Sequence, residues 1–518
     1  MNLRRLGTAF WQATAMALVL SSAAHAAAPA APPSLTSKVR AWRQAHEKQI
    51  VGDFATLLAM PNVATNQADI EKNADYISGL LKARGFATQK LYAEPGTPPS
   101  VFAELKVPGA KRTVTFYAHY DGQPIGQKGW ISTPFEPSMR TALPEARPVD
   151  WKAATGPLDP EWRLFARSAG DDKGSIQALI SAFDALKAAG VKPSVNIKLL
   201  YEGEEEQGSP HFAALVAKHL ETVRGDLLVM GDGPMHQSGR QEINFGNRGI
   251  SSFKATVYGP MKPLHDGHYG SWAPSPTVMI AGLVMSLRDD DGHILIPGFY
   301  DDVTPVSAAD KAALAALPDV ETGLKQALGL GRNVGPARLA DGYMRPTLNV
   351  RAIHGGDTGP DAANAIATEA ETSIDIRMAP GETDARVHQL VEDYLVKQGW
   401  FIVRDTPDLA TRLAHPKVVR LNWDKGESIA TESAMDSPAA LAVAASITRT
   451  TGMPVLKLPF VGASSGMAEI VNQLKAPMVG VSIANYDDNQ HAQNENLKLS
   501  ALWGGIEVYA GLLADLTW

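Results

Sequence analysis

Short apolar segments of strand composition alternate with helical segments along most of this chain. Strand patterns cover residues 113–118, 194–201 and 226–230, and apolar residues recur at helical spacing over 174–189. This alternation predicts an α/β fold built on a mostly parallel central sheet. In such sheets ligands collect at the carboxyl ends of the strands, so polar residues at those ends become the candidates for chemistry.

The 518 residues are too many for one hydrophobic core and predict at least two domains. From about residue 250 a second set of strands and helices begins, and near 437 the first pattern returns. The sequence therefore predicts a catalytic domain in two parts, 36–248 and 421–518, with an inserted α+β domain at 249–420. The stretch 141–160 is rich in Pro and Ala and predicts a surface insertion.

The first 26 residues have the pattern of a secretory signal peptide. Arg4 and Arg5 form a basic start, residues 13–20 are apolar, and Ala24 and Ala26 fit a cleavage site. We expect cleavage after Ala26 and a periplasmic or secreted protein, with an uncleaved membrane anchor as the alternative. After cleavage no membrane association is expected.

The composition of the chain excludes cysteine-based sites and argues against one class of partner. The chain has no cysteine, so neither a thiol nucleophile nor a thiolate metal ligand is available. A net charge of -7 without a long basic run argues against nucleic acid as a partner. Any metal must therefore be held by histidine and carboxylate side chains.

Polar residues follow the first predicted strand and open the helix at 174–189. His119 and Asp121 come directly after strand 113–118, where the carboxylate could orient the imidazole of a metal-bound histidine. Asp171 and Asp172 precede the helix, where acidic residues also act as ordinary helix caps.

Three further sets of polar residues lie at the end of a predicted strand or next to a predicted helix. Four acids between Glu202 and Glu206 come directly after a buried strand, where their mutual repulsion favours a bound cation. Asp232 follows strand 226–230, and His491 lies just before the last helix. Together, two histidines and several carboxylates are typical of a hydrolytic two-metal site.

The ordered set H-x-D, D-D-K-G, E-E-x-G-S, a strand-end Asp and H-x-Q-N-E resembles the M20 metallopeptidases. It is most similar to the carnosinase-type dipeptidases and the glutamate carboxypeptidase branch, from about residue 40 to the C-terminus. The resemblance implies a zinc-exopeptidase-type catalytic domain with an inserted lid and dimerisation domain. It also implies two zinc ions, with Asp171 bridging, His119 and Asp232 on one ion, and Glu206 and His491 on the other.

By the same resemblance, Glu205 is the general base and Asp121 supports His119. A metal-activated water then attacks the amide carbonyl of a peptide or an N-acyl amino acid. His265 resembles the lid histidine that reaches into the partner's active site, which implies a homodimer. Arg377 resembles the arginine that holds the substrate carboxylate, since a guanidinium fork suits a carboxylate.

Two substrate positions depart from the family pattern. Asn364 lacks the proline that follows the family asparagine, because the chain reads Asn-Ala-Ile-Ala at this point. Ser464 lies in 462–466, Gly-Ala-Ser-Ser-Gly, where the dipeptidases carry a Gly-Gly-Ser element. Both are predicted to contact substrate.

Three alternatives stay open at this stage. Residues 462–466 also fit the G-x-S-x-G nucleophile elbow, so Ser464 with His491 and Asp487 or Asp488 could form a serine hydrolase. An exported binding protein without metals is a second alternative. Within the metallohydrolases, an N-acyl amino acid deacylase competes with a peptidase acting near a free C-terminus.

Overall fold

The predicted strands form an eight-stranded mixed sheet in the computed structural model, which describes residues 34–126, 128–424, 429–464 and 467–518. The predicted signal peptide lies outside the described residues. Four neighbouring strands run parallel, and the strands at both sides add antiparallel pairings. The α/β prediction with a mostly parallel centre is confirmed. In spatial order the strands are Ala87–Leu91, Ser100–Leu105, Asn196–Glu202, Thr113–His119, Leu227–Met230, Met478–Gly480, Glu242–Asn244 and Leu456–Leu458.

The four parallel central strands are buried on both faces, which explains why they are largely apolar. Phe116 and its alternate neighbours pack into the core formed with helices Leu35–Leu58, Lys173–Ala188 and Leu499–Asp515. Tyr117 points to the opposite face and packs in a second core that includes Phe212. Because successive strand residues face opposite sides, the sheet is held between two helical layers.

A separate five-stranded sheet lies between Gly249 and Trp423 in the chain. It is antiparallel except for one parallel pair at its edge. The last strand in sequence runs across residue 420, so this sheet extends past the predicted end of the inserted segment, while the domain boundaries stay predictions. In spatial order the strands are Thr347–His354, Glu369–Met378, Gly249–Tyr258, Val418–Trp423 and Phe401–Val403.

The remaining strands form three small sheets. These pair Leu264–His265 with Ala365–Ile366, Thr431–Glu432 with Gly246–Asn247, and Arg163–Phe165 with both Ser138–Arg140 and Asn496–Lys498. The other helices of the described residues are Gln67–Ala83, Phe212–Lys218, Leu220–Val223, Asp266–Tyr269, Pro276–Leu287, Ala308–Ala315, Glu321–Ala327, Leu339–Tyr343, Asp384–Lys397, Leu409–Ala414, Pro438–Thr451 and Met467–Leu474.

The stretch 141–160 is only partly a surface insertion. Leu158 is buried, and its backbone N–H donates to the Glu47 carboxylate at 2.6 Å. An apolar side chain and a satisfied backbone group therefore fix this stretch to helix Leu35–Leu58. Within the described part of the chain, no helix has the length and apolar character to cross a bilayer.

Candidate metal centre

The carboxyl ends of the parallel strands bring the predicted site residues together. His119 ends the strand Thr113–His119, and Asp232 follows the neighbouring strand Leu227–Met230 by two residues. The acidic run begins at Glu202, which pairs with His119 across the two strands. The parallel register therefore places one histidine and several acids at the same edge, as the sequence predicts.

Asp171 lies at the middle of this cluster. Its Oδ1 is 2.8 Å from His119 Nε2, and its Oδ2 is 3.1 Å from His491 Nε2. Two groups with the spacing of metal ligands share this carboxylate. One is His119, Asp171 and Asp232, and the other is Asp171, Glu206 and His491, with ligand atoms in each group within 4.8 Å of one another. The structure thus brings together all five residues predicted as ligands.

The turn that carries Asp171 is held by a buried carboxylate. Glu495 accepts hydrogen bonds from the backbone N–H groups of Ser168, Gly170 and Asp171, at 2.9, 3.0 and 3.0 Å. Arg167 donates to the same carboxylate at 2.9 Å, and both side chains are buried. Four donors on one carboxylate fix the approach of Asp171 to the cluster.

Asp121 joins two of the loops that form the site. Its two oxygens accept the backbone N–H groups of Glu205 and Glu206, at 3.1 and 3.0 Å. Its Oδ1 is also 3.4 Å from His119 Nδ1, on the ring nitrogen opposite Asp171. The structure therefore places Asp121 beside His119, as predicted, and adds a contact with the acidic loop.

The acids of the run have different surroundings. Glu202 accepts a hydrogen bond from the Tyr117 hydroxyl, and Glu204 pairs with His211. Glu206 faces His491 at 3.2 Å. The Glu205 carboxylate has no hydrogen bond or ion pair with any described residue, which leaves it free to exchange a proton.

The charges of the cluster fit divalent cations. Burial and the neighbouring Asp171 raise the pKa of Asp232 well above its usual range, and burial raises the pKa of Glu205 to about 8. Hydrogen bonds to Asp171 and Glu206 raise the pKa of His491 to about 11. Buried carboxylates at such spacing favour bound positive charge, and a donor set of histidine and carboxylate suits zinc.

His265 and Asn364 lie close together within the segment predicted as the inserted domain. Strand Leu264–His265 pairs with Ala365–Ile366, and Asp266 N donates to Asn364 O at 3.1 Å. The contacts of His265 within the described residues are local, to Asp266, Gly267 and His268. Its side chain is 57% exposed, so it does not join the metal cluster of its own chain.

Arg377 lies near the end of the strand Glu369–Met378, the second strand of the five-stranded sheet. Its Nε donates to Asp375 at 2.8 Å, while its two terminal nitrogens have no hydrogen bond with described residues. The guanidinium fork is therefore available for a carboxylate. This is the geometry that its predicted role requires.

The serine hydrolase alternative does not fit the positions of its residues. The Ser464 hydroxyl donates to Gly249 O at 3.0 Å, whereas His491 faces Asp171 and Glu206. Asp487 pairs with Arg163. Without a hydrogen bond between Ser464 and His491, the nucleophile has no base within reach.

Two glutamines in the site were missed by the sequence reasoning. Gln123 donates to Glu206 Oε2 at 2.6 Å, and Gln490 donates to Asp171 Oδ2 at 2.7 Å. Both amides thus contact the oxygens that face His491. Their only sequence signal is proximity to a predicted ligand, since Gln123 is two residues from Asp121 and Gln490 precedes His491.

Comparison with known proteins decides the family. The profile of peptidase family M20/M25/M40 matches residues 115–515. The chain belongs to this family. It is therefore a metallopeptidase, and the metal-free binding protein and the serine hydrolase do not apply.

Named relatives agree with this assignment. The M20 peptidase is 24% identical to human Beta-Ala-His dipeptidase over 99% of both chains. It is 28% identical to Cys-Gly metallodipeptidase of Schizosaccharomyces pombe, over 58% of this chain and 60% of that protein. The M20 metallo-carboxypeptidase Sso-CP2 from Sulfolobus solfataricus shares the fold, with a TM-score of 0.74, 24% identity, and 90% and 99% of the two chains covered.

Metal binding by this M20 peptidase should release protons. With a pKa of about 11, His491 is protonated at pH 7 and must lose its proton before its nitrogen can bind a cation. We expect zinc affinity to rise as pH rises from 6 to 8. Calorimetry in buffers of different ionisation enthalpy measures the release, and His491→Ala should release about one proton fewer. Equal release by both proteins would contradict this assignment.

Proposed function

We propose that this protein is an exported two-zinc exopeptidase that cleaves a peptide bond near a free C-terminus, as a dipeptidase or a carboxypeptidase. The observation that carries the proposal is the pair of ligand groups sharing Asp171, beside the unpaired carboxylate of Glu205. Export rests on the signal-peptide pattern of residues 1–26.

The proposed ligands divide between two ions. His119, Asp171 and Asp232 would hold one ion, and Asp171, Glu206 and His491 would hold the other. When bound, the pair of cations acidifies a water molecule and polarises the substrate carbonyl. Zinc is proposed over manganese or cobalt by family likeness and by its generally higher affinity for such ligands, with other divalent ions as the alternative.

Glu205 moves the proton in this proposal. Its carboxylate removes a proton from the attacking water and then gives it to the leaving amine. Asp121 positions it, since the Asp121 carboxylate holds the backbone N–H groups of both Glu205 and Glu206. Burial keeps the affinity of Glu205 for a proton high, which suits a group that must accept and donate one.

The substrate is positioned by its terminal carboxylate. Arg377 offers the unpaired side of its guanidinium for this group, with Asn364 and Ser464 as further proposed contacts. The names of the two relatives, Beta-Ala-His dipeptidase and Cys-Gly metallodipeptidase, favour a dipeptide as substrate. An N-acyl amino acid has the same terminal carboxylate and stays the alternative.

The first test is hydrolysis of dipeptides, longer peptides and N-acyl amino acids by the protein beginning at residue 27. We expect dipeptides to be cleaved best, activity to be lost on chelation, and zinc to restore it because the attacking water depends on the cations. Amino-terminal sequencing of protein from the periplasm checks the cleavage site. Activity unaffected by chelation would overturn the proposal, and preference for N-acyl amino acids would make the enzyme a deacylase.

Glu205→Gln should keep both zinc ions and lose most turnover. Glu205 belongs to neither ligand group, so we expect unchanged zinc content and a fall in kcat of about 10²–10⁴-fold. The matched variant Glu206→Gln should lose zinc, because it removes a ligand. Metal analysis and steady-state kinetics on both variants separate the two roles. If Glu205→Gln lost zinc and Glu206→Gln kept it, Glu205 would be the ligand and Glu206 the general base.

The lid histidine is proposed to act across a homodimer. The His265 side chain is exposed and has no contact with the metal cluster of its own chain among the described residues. We propose that it reaches the site of the partner subunit, where it stabilises the charge on the attacked carbonyl oxygen. We expect His265→Ala to lose activity and keep its zinc.

Mixed dimers test this arrangement. A dimer of one His265→Ala chain and one Glu205→Gln chain contains one site with both residues intact, if His265 acts in trans. Co-expressed and purified through two tags, it should recover about half the wild-type activity. A mixed dimer as inactive as its parents would contradict action across the dimer.

A further inference from the structure

A cavity of about 430 Å³ adjoins the metal centre. Gln490, whose amide donates to Asp171, and Pro234, two residues beyond Asp232, line it at the metal side. Another part of the lining comes from residues 317–343 of the chain, here called the lid segment, and includes Leu317 and Tyr343. A group that extends from a substrate at the metal centre can enter this space.

Glu242 is the acidic side chain of this cavity that lacks a protein partner. Glu242 is the first residue of the strand Glu242–Asn244, the second strand from one edge of the eight-stranded sheet. In this strand Ile243 points into the main core, whereas Glu242 faces the cavity. It is only 6% exposed, and its carboxylate has no hydrogen bond or ion pair with any described residue. Burial raises the pKa of Glu242 to about 7. A carboxylate buried without a partner is costly, and a cationic ligand would offset that cost.

The other charged groups that line the cavity are already bound to protein. Arg248 donates to Gly462 O at 3.0 and 2.7 Å and lies over the ring of Tyr343. Arg338 donates to two backbone carbonyls, at 2.7 and 2.9 Å. Glu321 accepts two backbone N–H groups, at 2.9 and 3.1 Å. Glu242 is therefore the charge left for a ligand.

The orientation of the substrate follows from the five-stranded sheet. Arg377 is directly opposite Ile250 on one neighbouring strand and Thr347 on the other. Arg248 precedes Ile250 by two residues and donates to the Thr347 hydroxyl at 3.3 Å, so it lies on the same face as Arg377. A carboxylate held at Arg377 therefore lies beside the cavity that Arg248 and Glu242 line.

We propose that Glu242 binds the cationic side chain of the residue that carries the substrate's free carboxylate, so that the enzyme prefers C-terminal arginine or lysine. This inference rests on the proposed function. The positive side chain meets Glu242 inside the cavity, while the carboxylate of the same residue meets Arg377. The apolar side chains of Leu317 and Leu458 also line the cavity and suit the methylene stem of such a residue.

Matched substrates test the charge alone. Ala-Arg is compared with Ala-citrulline, which has nearly the same shape and no charge, and N-acetyl-arginine with N-acetyl-citrulline. We expect wild-type kcat/KM to be higher by about tenfold or more for the charged member. In Glu242→Gln the ratio should fall to about one, and in Glu242→Lys preference should move to C-terminal glutamate over glutamine.

Each ratio compares kcat/KM for two substrates of the same variant, so a loss of folded protein does not change it. Glu94→Gln, which alters an exposed carboxylate outside the cavity, is the matched control and should keep the wild-type ratio. A wild-type ratio near one, or a ratio unchanged by Glu242→Gln, would overturn the inference. Absence of hydrolysis of every dipeptide and N-acyl substrate after zinc loading would instead overturn the proposed function.

Discussion

The site depends on one carboxylate that is approached from two sides. Asp171 meets His119 through one oxygen and His491 through the other, so the two ligand groups cannot be separated from each other. The parallel strands bring His119, and the turn before helix Lys173–Ala188 brings Asp171. Glu495, from the C-terminal part of the chain, holds that turn. The site therefore forms only when segments more than 300 residues apart in sequence are packed together.

This arrangement places several carboxylates in a buried site with little access to water. Part of this charge is compensated by backbone N–H groups that donate to the carboxylates of Asp121 and Glu495. Another part is compensated by Arg167, which donates to Glu495. The carboxylates of Asp232 and Glu205 accept no hydrogen bond from a described residue, and burial raises the pKa of both groups. A protonated His491 supplies positive charge where a cation would otherwise lie. Cations and protons thus compete for the same ligand atoms, which are the His491 ring nitrogen and the carboxylate oxygens.

The sequence could predict the residues at strand ends because their positions follow from a local pattern. Apolar strands buried on both faces are recognisable, and an acid or histidine at their ends is conspicuous. The supporting contacts are not local. Gln123 and Gln490 reach the ligands through side chains whose composition is ordinary for a loop, and Leu158 is buried within a stretch that has no period. Short strands such as Glu242–Asn244, which carry no alternating pattern, also could not be identified from sequence alone.

In the proposed function, chemistry and substrate selection are divided between two parts of the fold. The carboxyl ends of the central strands hold the reacting groups, whereas the cavity is closed by the lid segment. Leu317 of this segment and the nearby Leu314 pack with Leu456 and Leu458 of the strand at the edge of the eight-stranded sheet. This apolar contact fixes the part of the cavity that the lid segment lines and includes no metal ligand. Changes in the lid segment can therefore alter which side chain fits the cavity and leave the two ligand groups intact, since the two sets of contacts share no residue.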